Sequence, residues 1–145
     1  MDPVPISVVL LVDARGWLLL QERTADAPRS AGQWGMVGGH VEDGEDFEPA
    51  AYRELAEETG LVLPGGTLRL WRDAEFTYPD GLRGRYHVYA APVDLTDADI
   101  VVGEGRQIVF VDPLVVPALD LAASSRHFLP EFLASDLYRS LRRVS

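Results

Sequence analysis

Residues 38–61 read GGHVEDGEDFEPAAYRELAEETGL, and the rest of the chain is best read outward from them. The stretch carries helix signals from residue 46 onward. Asp46 or Glu45 stands where a cap is needed, and acidic residues crowd the first turn, where the helix dipole favours them. Pro49 is tolerated that early, and Gly60 stands where a helix commonly stops. A helix over 46–59 places Glu54, Glu57 and Glu58 at i,i+3 and i,i+4 spacing, on one face. Like charges so placed repel by about a few tenths of a kcal/mol per exposed pair. A divalent cation would remove that cost. Oxygen donors without His or Cys favour Mg²⁺, Mn²⁺ or Ca²⁺ over zinc, and Mg²⁺ binds phosphate oxygens readily. Arg53 sits beside the acidic face, where it could orient or partly neutralise it. Gly38 and Gly39 let the backbone come close to a ligand, and the pair reads as the break after a short strand.

Upstream, 6–12 is a continuous apolar, β-branched run and reads as a buried strand. Ala14-Arg15-Gly16 reads as a turn, and 17–21 as the hairpin partner of the first strand. A polar loop covers 24–33, and 34–37 is a short strand ended by the glycines. Downstream, 61–64 is extended, and 67–76 and 85–93 are strands joined through the turn Tyr78-Pro79-Asp80-Gly81. A short strand follows at 108–111. A second helix is expected over 130–143, with Phe132, Leu133, Leu137, Tyr138 and Leu141 at helical spacing and Arg139, Arg142 and Arg143 near its C-terminal end. The class is mixed α+β, one domain over 1–145, with no repeat and no linker.

Composition narrows the function. With 23 Asp+Glu against 13 Lys+Arg, the 145-residue chain carries a formal charge of −10, which disfavours a nucleic-acid polymer as partner. An acidic protein that binds a phosphorylated small molecule needs local arginines or metal ions as a bridge. There is no cysteine, which excludes disulfides, thiolate nucleophiles and sulfur-based zinc sites and fits a cytoplasmic location. The apolar run near the N-terminus has no basic segment before it and is too short for a signal peptide or a membrane span.

Residues 39–61 resemble the Nudix box, G-x5-E-x7-R-E-U-x-E-E-x-G-U, with U a bulky aliphatic residue. Gly39, Glu45, Arg53, Glu54, Glu57, Glu58 and Gly60 fill the fixed positions, and Leu55 and Leu61 the aliphatic ones. At average residue usage such a match arises by chance about once per billion starting points. The resemblance implies an α/β/α sandwich with a mixed sheet and a loop–helix–loop box. It implies an enzyme, MutT-like, that uses Mg²⁺ or Mn²⁺ to hydrolyse a diphosphate linkage in a nucleotide-like small molecule, nucleoside triphosphates first and sugar nucleotides or dinucleoside polyphosphates after them. A non-cleaving nucleotide sensor is the other reading, and it usually lacks one or more box glutamates. Homodimers are common in the family.

Carried over residue by residue, the resemblance makes Glu54, Glu57 and Glu58 metal ligands with the carbonyl of Gly39, and gives Arg53 the task of orienting a glutamate. Glu45 is more often structural. The carboxylate that activates water is Glu57 or Glu104, the latter in the Gly103-Glu104-Gly105 loop. Arg23 stands where MutT-like members place a phosphate-contacting arginine. Gly38 and His40 flank the box glycine, with His40 where relatives often carry Lys or Arg. For the organic half, Phe76 and Tyr78 lead among the aromatics, followed by Trp34, Trp71 and Tyr86. Loops 24–33 and 75–84 are expected to read the substrate.

Overall fold

The computed structural model describes residues 2–142. Its centre is β1 (Val4–Val12), whose apolar run reflects burial on both faces. Alternate side chains go to opposite cores. Ile6, Val8, Leu10 and Val12 join one, Val9 and Leu11 the other. The remaining strands are β2 (Leu18–Glu22), β3 (Trp34–His40), β4 (Arg69–Thr77), β5 (Arg83–Pro92) and β6 (Gln107–Val111). They form one six-stranded sheet in the order β4-β5-β1-β3-β2-β6. β1 and β5 run parallel and the other neighbours antiparallel, so the sheet is mixed.

Helix α1 (Phe47–Thr59) covers one face through Ala51 and Leu55. Helices α2 (Ala123–Leu133) and α3 (Asp136–Leu141) cover the other, with Phe128, Leu129, Phe132, Tyr138 and Leu141. This is the expected α/β/α sandwich. Ser7, on the α1 side of β1, donates to the Phe47 carbonyl at 2.6 Å and ties the start of the helix to the sheet. Gly60 ends α1 with φ 74° and donates back to the Ala56 carbonyl. Among the described residues no helix is long and apolar enough to cross a membrane.

Three expectations are corrected. First, β1 and β2 pair as a ladder only at Val12 and Leu18, because β3 inserts between them and pairs with both. Second, Gly38 and Gly39 do not end the third strand. They pair with Val8 and Ser7 inside a ladder that continues to His40. Third, the helix expected over 130–143 is two helices. Pro130 lies inside α2, which begins at Ala123, and the chain breaks at Ser135, whose hydroxyl accepts from the Tyr138 amide and caps α3. Arg143 lies outside the described residues.

Candidate active site

The end of β3 and the body of α1 meet through glycine. Gly38 has φ 146°, and a Cβ there would lie 2.2 Å from the Ser7 carbonyl oxygen and 2.6 Å from the Val8 Cα. Only a residue without a side chain lets β3 approach β1 so closely. The Gly38 amide donates to Glu58 Oε2 at 2.8 Å. A Cβ on Gly39 would stand 2.8 Å from the Glu54 carboxylate, so that glycine is a cradle for the glutamate.

The box carboxylates divide into two groups. Glu45 and Arg53 form a forked pair, with Arg53 Nε 2.8 Å from Glu45 Oε2 and Nη2 2.9 Å from Oε1. The Arg53 hydrogen bond, with that of the Glu42 amide, holds Glu45 down at about 2. Arg53 Nη1 also lies 3.2 Å from both Glu54 Oε1 and Glu57 Oε2, and Nη2 donates to the His40 carbonyl. One guanidinium therefore locks the loop to the helix and faces two glutamates. Glu54 and Glu58 form the second group. Burial raises Glu54, opposed by Arg53. Burial, then the charges of Glu54 and Glu104, pushes Glu58 up to about 9, against the pull of the Gly38 amide.

Glu104 reaches this group because its loop is pinned on both sides. Gly103 donates its amide to the Glu58 carbonyl at 2.8 Å, and Gln21 Nε2, on β2, donates to the Glu104 carbonyl at 2.9 Å. A Cβ on Gly103 would lie 2.0 Å from the Glu57 carbonyl oxygen. The glycines around Glu104 thus permit a close approach that the sequence marks only as a flexible loop.

Among the described residues no three His, Asp or Glu side chains are gathered as a preformed metal cage. Arg53 stands between Glu54 and Glu57, and Glu57 is 58% exposed. The donor set nevertheless suits a hard cation. It consists of oxygen atoms only, and two of its carboxylates are desolvated side by side, a cost that a divalent ion would offset.

Beside the glycines opens a cleft of about 500 Å³. Arg23, Gly38, His40 and Tyr78, read from the sequence as candidate substrate contacts, line it together with Gly39, read as a candidate metal ligand. Phe76 does not. It lies edge-on behind Tyr78, with ring centroids 5.1 Å apart, and packs on His127 and Phe128, so it supports the wall instead of forming it. Trp34 and Trp71 also pack against the core. Tyr86 lines the cleft, and its hydroxyl pairs with that of Tyr78. A smaller recess of about 160 Å³ shares Gln21, Arg23 and Pro28 with the cleft and brings in Glu104. Gln21, Arg29 and the buried Ser124 and Ser125 were not singled out by sequence. The serines sit in a segment with no motif, and Arg29 is one charge in a polar loop.

Gly38 and Gly39 thus join the cleft, which Arg23 and Arg29 also line, to Glu58 and Glu54. The chain matches the NUDIX domain over residues 1–132 and belongs to that family. It is 32% identical over 126 residues to the nucleoside triphosphatase NudI of Salmonella agona, covering 82% of this chain and 89% of that protein. The MutT protein of Methanosarcina mazei superposes with a TM-score of 0.74 at 23% identity, covering 90% and 94% of the two chains. The NUDIX domain of Shewanella oneidensis NrtR, solved with ADP ribose, gives 0.75 at 18% identity, covering 90% and 86%. The chain is a Nudix diphosphohydrolase by this kinship.

Proposed function

We propose that the protein hydrolyses the diphosphate linkage of a nucleoside triphosphate with a divalent cation, Mg²⁺ or Mn²⁺, on a single domain in the cytoplasm. The observation that carries this reading is the placement of half-buried Glu54 and buried Glu58 against the glycines that line the cleft. Glu54, Glu57 and Glu58 would hold the cation, with the Gly39 carbonyl. When bound, it supplies charge neutralisation at the phosphates and a more acidic water. Arg53 keeps Glu54 and Glu57 in place through its fork on Glu45. Arg23, whose Nε is held at 2.8 Å by the Arg29 carbonyl, faces the phosphates from the recess that also holds Glu104. Glu104 or Glu57 takes the proton of the attacking water. The likeness to a nucleoside triphosphatase over most of both chains supports the choice of substrate.

The test is a product-resolved panel of nucleoside triphosphates, sugar nucleotides and dinucleoside polyphosphates with Mg²⁺ or Mn²⁺. Release of phosphate or pyrophosphate is expected, and Glu57→Gln should lower the rate by about 10²-fold or more with the fold intact. No turnover anywhere in the panel would end the hydrolase reading. Tight ligand binding without turnover would favour a sensor.

A further inference from the structure

Loop 24–33 and the turn at 78–82 are joined through the Arg29 side chain, which the hydrolytic groups leave unused. Arg29 Nη2 donates to Asp80 Oδ2 at 2.9 Å, and the Arg29 guanidinium carbon stands 4.7 Å from the Tyr78 ring centroid. Both ends of this strap are anchored. The Arg29 carbonyl accepts from Arg23 Nε, and Ser30 beside it is held at φ 57°. Asp80 Oδ1 accepts from the Leu82 amide at 3.0 Å, and the Tyr78 amide donates to the Leu82 carbonyl at 2.7 Å. Arg29, Tyr78 and Leu82 all line the large cleft, whereas the recess beside Glu104 contains Arg23 and not Arg29.

We propose that Arg29 is a specificity-determining clasp that closes the cleft over the organic half of the ligand; the ligand class rests on the nucleotide reading above. Both arginines line the cleft, but only Arg23 also lines the recess with Glu104, while Arg29 stands over the Tyr78 ring. A guanidinium is planar, so with one face on Tyr78 it still offers the other to a flat base. Its ion pair is solvent-exposed, with 43% of the Arg29 side chain and 56% of the Asp80 side chain accessible, while Tyr78 is half-buried. Exposed ion pairs and cation–π contacts are individually weak, so the clasp opens to admit a ligand and gains when one completes the stack.

The experiment combines amide hydrogen exchange of the ligand-free protein with steady-state kinetics on ATP and on inorganic triphosphate, which has no organic half. Wild type is compared with Arg29→Ala, Arg29→Lys and Asp80→Asn. Exchange in residues 25–31 and 79–82 should rise together in Arg29→Ala and Asp80→Asn, with the sheet unchanged. Arg29→Ala should raise KM for ATP about five-fold or more, with kcat within about two-fold and inorganic triphosphate unaffected. Arg29→Lys keeps the charge and loses the plane, so it should follow Arg29→Ala. Unchanged loop exchange in Arg29→Ala overturns the clasp. So does a KM that rises equally for both substrates, which would make Arg29 a phosphate contact. Raised loop exchange in a protein whose wild type hydrolyses no nucleotide upholds the clasp and rejects the hydrolase reading.

Discussion

Gly38→Ala isolates the feature on which the site's geometry depends. Two costs add at this position. A φ of 146° is one that L side chains rarely adopt, and such backbone strain is worth about 1–2 kcal/mol. The new Cβ would also lie 2.2 Å from the Ser7 oxygen and 2.6 Å from the Val8 Cα, both backbone atoms of the central strand. Relieving that overlap means moving β1 or β3, at about 1–3 kcal/mol more. The sum is about 2–5 kcal/mol, which in a domain of this size lowers the melting temperature by about 6–20 °C at 3–4 °C per kcal/mol. Gly44→Ala is the control. Gly44 has φ 80° and nothing within 4 Å of its built Cβ, so it carries the strain without the overlap and should lose only about 3–8 °C. Differential scanning calorimetry of the three proteins without ligand gives the answer. If Gly38→Ala melts within about 3 °C of Gly44→Ala, the close approach of β3 to β1 is not what makes glycine necessary there.

The buried acid Glu58 gives a pH prediction. Glu58 titrates at about 9 in the fold against an ordinary 4.5, so the folded protein keeps a proton that the unfolded chain has lost. Stability fully present below about pH 4.5 should therefore drain as pH rises towards 9 in metal-free protein. Glu58→Gln should flatten that slope in thermal melts and remove any stabilisation by Mg²⁺; a variant that keeps the wild-type slope would show that Glu58 is not its source. Gly39→Ala meets only the movable end of Glu54, so its melting temperature should change little while activity falls sharply, and unimpaired turnover would count against the cradle. Tyr138 Oη donates to the Gly16 carbonyl at 2.6 Å in a buried setting, so Tyr138→Phe should cost about 1–3 kcal/mol by urea unfolding, and no loss would mean that water replaces the bond.

Local signals carried much of the architecture. The β-branched run of β1 and the Gly60 stop are short-range features that fall where the sequence placed them, whereas Asp46 takes the N-cap position without a side-chain cap bond and Glu48 is the one acidic residue in the first turn. Partner choice in the sheet was not legible, because the insertion of β3 between β1 and β2 joins residues far apart in the chain. The glycines misled for a related reason. Gly38 and Gly39 look like strand breakers, yet they continue the strand, since close approach to β1 and to Glu54 is a tertiary demand. Ser124 and Ser125 hid the start of α2, being weak helix formers whose place is set by burial and by the Ser125 hydroxyl accepting from the Met36 amide at 3.1 Å. At the site, the spacing of the box glutamates was visible in sequence. The depth of Glu58, the exposure of Glu57 and the contacts of Arg29 with Asp80 and Tyr78 were not, since they depend on the packing of β3 and on a loop-to-loop contact.

A manganese titration followed by electron paramagnetic resonance, with a nucleoside triphosphate analogue whose α,β and β,γ bridges resist hydrolysis, bears most directly on the glutamate helix. Wild type should remove free Mn²⁺ from the spectrum, more strongly with the analogue present, and Glu54→Gln and Glu58→Gln should each weaken that uptake by about ten-fold or more. A free-Mn²⁺ signal that protein and analogue together leave unchanged, or uptake by the two variants equal to wild type, would contradict the assignment of these carboxylates to a cation.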